Sequence, residues 1–180
     1  MTRWLQADYH DTFPLSHLMR KRYASLWMRI HSLPESKRYP ENDQEREAIF
    51  QRYSSFGSAL LGFSAPCLMI RSLFATEKPG DNFERSLSWS HLRKIQDAEN
   101  DEVYWYSWVT DVIWQPDTFR TLLSNIAEDR DKHVIFVSKA SDSIFAPYDG
   151  GADGFSFDLK LISRLKQEFQ PWLPSRTDGL

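Results

Sequence analysis

The sequence predicts an α+β fold, a mostly antiparallel sheet of about five to six strands with about three to four helices packed on it. Short alternating or apolar runs stand next to one another at 67–74, 87–89 and 103–114, and again at 134–137 and 144–148, close enough for hairpins. The helical patterns are isolated among them, whereas a doubly wound parallel sheet needs regular strand–helix alternation. The length, 180 residues, suits one globular domain over 1–180, with 172–180 as a loose tail.

The elements follow in order. Pro14 opens a short helix to about residue 23, with Leu15, Leu18, Met19 and Tyr23 on one side. Residues 26–31 alternate, Leu26, Met28 and Ile30 against Trp27, Arg29 and His31, which predicts a strand with one face in the core. Two prolines make 33–40 a loop. A helix over 42–62 puts Ile49, Tyr53, Phe56, Leu60 and Phe63 on one face and stops at Gly62. A strand at 67–74 is apolar on both faces, and 76–83 is a mobile loop. A strand is expected at 87–89, then an irregular segment to 98.

The longest strand, 103–114, carries aromatic residues on both faces, so it is central or presents a binding surface. Pro116 starts a helix with Phe119, Leu122, Leu123 and Ile126 inside. The hairpin partners 134–137 and 144–148 follow, with Pro147 placing the second at a sheet edge or strand end. Residues 149–154 read as a glycine-rich turn in which the glycines take positive φ. Asp158 caps a last helix with Leu159, Ile162, Leu165 and Phe169, stopped by Pro171. The expected core is Leu26, Met28, Ile30, Ile49, Phe56, Leu60, Leu68, Ile70, Val109, Ile113, Phe119, Leu122, Ile126, Ile135, Val137, Ile162 and Leu165.

Composition narrows the function. At 41% hydrophobic and 14% aromatic the chain is too rich for disorder. No apolar run nears the roughly 18 residues of a membrane span, and the N-terminus has no signal-peptide pattern, so a cytoplasmic protein is expected. Cys67 lies in an apolar run with no second cysteine, which predicts an inert core thiol. The histidines fall in no ligand spacing and no phosphate-binding or nucleophile motif occurs, so no metal and no cofactor are expected.

The net charge of −3 argues against nucleic acid as partner. Its distribution is uneven: residues 1–40 carry seven bases and three acids, the rest 15 bases and 22 acids. The acids gather at Asp97, Glu99, Asp101 and Glu102, at Glu128, Asp129 and Asp131, and at Asp149, Asp153 and Asp158. Such clusters are solvated loops and helix ends, or an acidic surface that steers a basic partner.

Two segments hold groups with possible chemistry. The loop leaving the first strand carries His31, Lys37, Arg38 and Tyr39, an anion-binding or acid–base set beside a purely structural alternative. The later turn carries Tyr148, Asp149 and Asp153, but lacks the acidic ladder and final glutamate of a calcium loop. With these residues quoted, the chain resembles a family of uncharacterised bacterial proteins with an early R-x-H-S-L-P-type strand and loop and a later Y-D-x-x-G-type turn. The matching stretches are 29–39, 108–126 and 134–153, under half the chain. An arginine of the family's turn is missing here, where Gly150 and Gly151 follow Asp149. The resemblance implies a bacterial α+β protein and transfers no catalytic residue.

The function expected is a non-catalytic protein-binding module, an immunity protein that neutralises a cognate, basic toxin domain. Asp97, Glu99, Asp101 and Glu102 would steer the toxin, and Trp105, Trp108 and Trp114 would anchor it. The alternative is a small enzyme joining His31, Lys37, Arg38 and Tyr39 to Tyr148, Asp149 and Asp153, with an aspartate orienting the imidazole.

Overall fold

A computed structural model describes residues 2–6, 12–74, 86–96, 102 and 104–175. Among these residues seven strands form one sheet: β1 (Trp27–His31), β2 (Pro66–Leu73), β3 (Ser90–Gln96), β4 (Tyr104–Ile113), β5 (Val134–Ser138), β6 (Ile144–Tyr148) and β7 (Gly151–Phe155). Their order is β1-β7-β6-β5-β2-β4-β3, and every neighbouring pair is antiparallel. Among the described residues four α-helices complete it: α1 (Ser16–Arg22), α2 (Asp43–Leu61), α3 (Arg120–Ala127) and α4 (Leu159–Glu168). The α+β expectation stands, with one strand beyond its upper count.

Strand alternation divides the interior. Phe136, Phe145, Met28, Ile30 and Ala152 pack against α2, α3 and α4 in one cluster. Their neighbours Ile135, Val137, Ile144, Ala146 and Phe155 form a second cluster with Trp4, Phe13 and Met19 of the N-terminal segment. Both faces of β1 are thus covered. The helix ends follow their residues: Asn42 accepts from the Glu45 amide at 2.9 Å, and Asp158 from the amides of Lys160 and Leu161. Gly62 ends α2 at φ 89°, a left-handed conformation that costs glycine little.

Several expectations need correction. Residues 90–96 are a strand, not an irregular segment; their charges and polar residues belong to a sheet edge with a bulge between His91 and Arg93. The glycine-rich turn is only Asp149 and Gly150, because Gly151–Phe155 is a buried strand. Gly150 and Gly151 do not take positive φ; among the glycines of the described residues Gly62 does. Pro147 lies in an interior strand, but past the β5 ladder, which pairs β6 only at Phe145 and Ile144. Phe63 is 74% exposed because the chain turns away at Gly62, and Leu159 is exposed at the start of α4. Ile113, expected in the core, ends β4 opposite Pro66 and is exposed, while Leu26, Leu68 and Val109 are half-buried. The segment 76–83, expected to be a mobile loop, lies outside the described residues.

Candidate functional site

Two places bring the singled-out residues together. The first is built by β1, β7 and β6 on the face away from α2. Pairing of β1 with β7 sets Arg29 opposite Asp153. Arg29 Nε donates to Asp153 Oδ1 at 2.9 Å, and Trp27 Nε1 donates to the same oxygen at 2.9 Å. Arg20 of α1 approaches Oδ2 at 3.8 Å. Asp153 is 1% exposed, and burial pushes its carboxyl above the usual range despite the pull of Arg29 and the Trp27 bond. The Tyr148 ring lies 4.9 Å from the Arg29 guanidinium carbon. Gly151 permits this, because a Cβ there would meet the Tyr148 hydroxyl at 2.9 Å and the Ile30 carbonyl oxygen at 2.0 Å. Burial first, then Asp153, raises the Tyr148 hydroxyl far above its ordinary pKa, which keeps it a donor.

Beyond the turn, Asp149 accepts from the Tyr39 hydroxyl at 2.9 Å and pairs with Arg38 Nε at 2.6 Å. The bond to Asp149 is the main cause that raises the pKa of both Arg38 and Tyr39. Lys37 is turned instead to Glu45 at 2.8 Å and Glu41 at 3.0 Å, fastening the loop to the start of α2. The His31 ring sits 3.5 Å from Ser36 Oγ, and burial, then Arg29 and Arg52, lowers its pKa. Among the described residues no hydrogen bond joins His31 to Asp149 or Asp153. The structure therefore unites Tyr39, Arg38 and Asp149, and separately Tyr148 and Asp153, but does not assemble the acid–base pair. Sequence reasoning missed Arg29, Arg20 and Trp27 here; the alternation that set Trp27, Arg29 and His31 on one face was the available signal.

The second place is the end of the sheet where β2 finishes and β4 and β5 begin. Trp105, buried, has Phe74 at 3.7 Å between ring centroids and His133 at 4.5 Å. His17 of α1 lies 6.1 Å from Trp105 and 6.2 Å from His133. Burial is the first cause that takes His133 down to about 4, with His17 next. Phe74 is 57% exposed and was not foreseen, because at the end of an apolar run it reads as core.

Glu102 is exposed at this same end, just before β4. Asp97, Glu99 and Asp101 lie outside the described residues, between the paired positions Gln96 and Tyr104. Asp131 pairs with Arg71, and Glu128 with Arg46 at 3.0 Å and Arg130 at 2.7 Å, so much of the second acidic cluster is neutralised. The third is no acidic surface: Asp149 and Asp153 hold arginines and Asp158 caps α4. Trp108 is 8% exposed, with His91 at 5.4 Å. Trp114 is wholly buried, parallel to Phe119 at 5.7 Å and bonded to Ser58 Oγ at 3.1 Å, so its indole is a core group and offers no surface to a partner.

Among the described residues no three His, Cys, Asp or Glu side chains gather as a metal would need, and no helix is long and apolar enough to cross a membrane. Fold and sites together define an α+β protein with a seven-stranded antiparallel sheet, a buried Arg–Asp–Tyr cluster and an exposed aromatic end. The chain belongs to the family described as Domain of unknown function (DUF3885), whose model matches residues 15–177. No curated protein and no solved structure matches it.

Proposed function

We propose that this chain is a non-catalytic protein-binding module of the immunity type, which neutralises a cognate toxin domain of basic character. The observation that carries the reading is Phe74, an exposed aromatic ring lying on the buried Trp105 at 3.7 Å, at the end of the sheet where the acidic stretch 97–102 joins β4. A rigidly backed aromatic ring loses little entropy when a partner covers it, which is what binding anchors have in common. The acidic residues that precede β4 in sequence would raise the encounter rate with a basic surface. Trp105 supports the anchor from beneath, and Glu102 with Asp97, Glu99 and Asp101 supplies the charge; Trp108, on the other face of β4, belongs to the helix-side core and is no part of this surface.

The test is direct binding to the purified product of the gene beside this one, with a toxin-like product expected there. Phe74→Ser should weaken the complex at least about tenfold, as loss of an anchor does, with the protein still cooperatively folded at the assay temperature, because more than half of the ring is exposed. Wild-type affinity in that variant would remove Phe74 and the surface around it from the proposal.

A further inference from the structure

We infer that the face of β1, β7 and β6 holds an oxyanion site centred on Arg29, suited to the phosphate group of a small ligand. The inference goes beyond the protein-binding reading and rests on different residues at the opposite edge of the sheet.

Charge balance comes first. Arg29 and Arg20 both address Asp153, so two guanidinium groups share one carboxylate. The neighbouring Asp149 is already taken by Arg38 and Tyr39. Among the described residues two guanidinium groups thus face one carboxylate, in a place where Arg29 is only 8% exposed.

Donor arithmetic points the same way. A guanidinium has five N–H donors in a planar fork that fits oxyanions through two parallel bonds. Arg29 donates to Asp153 through Nε, and its Nη2 is buried with no hydrogen-bond partner. Arg20 reaches Asp153 at 3.8 Å, an ion-pair distance longer than a hydrogen bond. A buried unsatisfied donor on a charged group is costly, and an anion that accepts from it removes that cost. Tyr148 supplies a further hydroxyl: its ring packs on Arg29, and its oxygen lies over Gly151, where no side chain intervenes. Arg20 is about a quarter exposed (27%), the most accessible of the three charged groups. A tetrahedral phosphate accepts from several directions at once, matching two arginines and a hydroxyl; a carboxylate of Asp153's kind is already in place.

The experiment titrates the whole chain with inorganic phosphate, then with a sugar phosphate, at constant ionic strength against sodium chloride. Melting temperature and 31P line width are read together. Phosphate should raise the melting temperature with saturation and broaden the 31P signal, because a ligand stabilises the state it binds. Arg20→Gln and Tyr148→Phe, which leave the Arg29–Asp153 pair intact, should each raise the half-saturation concentration at least about tenfold. Tighter binding of the sugar phosphate than of phosphate identifies an esterified ligand, and equal binding a free anion; either supports the site. No stabilisation beyond the chloride control at about ten millimolar phosphate, or the same response in both variants, overturns it.

Discussion

A methyl group on Gly154 would stand 2.7 Å from Phe56 Cζ and 2.8 Å from Leu60 Cδ1. The glycine lies in β7 directly beneath α2, so its function is close approach of helix to strand. Gly154→Ala should therefore destabilise by about 1–3 kcal/mol, the usual range for overpacking, read as a lower urea midpoint. An unchanged midpoint would show that α2 can shift without loss. This role was hidden in the sequence, because Asp-Gly-Gly and Asp-Gly pairs signal turns whether or not a helix sits on them. His133 has a pH consequence. Its folded pKa of about 4 lies below the ordinary 6.5, so between those values the unfolded chain binds a proton that the folded chain refuses. Stability is full well above pH 6.5 and falls on acidification toward pH 4, by about 1.5 kcal/mol between pH 6.5 and pH 5 for this one group. His133→Asn, a residue that tolerates the φ of 57° found there, should lose correspondingly less over that range. An identical pH slope in wild type and variant would show that His133 does not carry the effect.

Among the elements, those with a strong period were legible. The helix over 42–62 and the last helix read correctly because cap, stripe and stop agree at each, and 103–114 did so through unbroken alternation of bulky residues. Two strands were not legible. Ser90–Gln96 is an edge strand whose outward groups are solvated, so no apolar alternation marks it. Gly151–Phe155 is central and fully buried, yet three of its five residues are Gly or Asp; β1, β6 and α2 impose extension that local propensity does not favour. Burial separates two residues that the sequence placed together in the core. Leu122 is 6% exposed on the inner face of α3, and Ile113 is 48% exposed at the end of β4. Leu122→Ala should cost about 2–5 kcal/mol, whereas Ile113→Ala should stay within about 0.5 kcal/mol of wild type. Equal shifts in the two urea midpoints would contradict the assigned packing.

At the scale of the molecule, the two ends of the sheet differ in charge and chemistry. The β1 edge gathers arginines from the basic first forty residues around Asp149 and Asp153, and the far side of the sheet carries Trp105 with Phe74 on it near the start of β4, which the acidic stretch 97–102 precedes in sequence. The sequence showed the charge asymmetry but not which acids are spent internally, because pairing partners such as Arg38 and Asp149 lie far apart along the chain. If the acidic end steers a basic toxin, association should slow as salt rises, since screening shortens the reach of exposed charges to about 8 Å at physiological ionic strength. Reversing Asp97, Glu99 and Asp101 to Lys should lower the on-rate more than it raises the off-rate; equal on-rates at low and high salt would rule out steering. The most direct measurement is growth of cells expressing the adjacent gene's product from one plasmid and this chain from another. Wild type should restore growth, and Phe74→Ser combined with Glu102→Lys should fail to do so at equal soluble expression. Full protection by that double variant, or none by the wild type, would contradict the account.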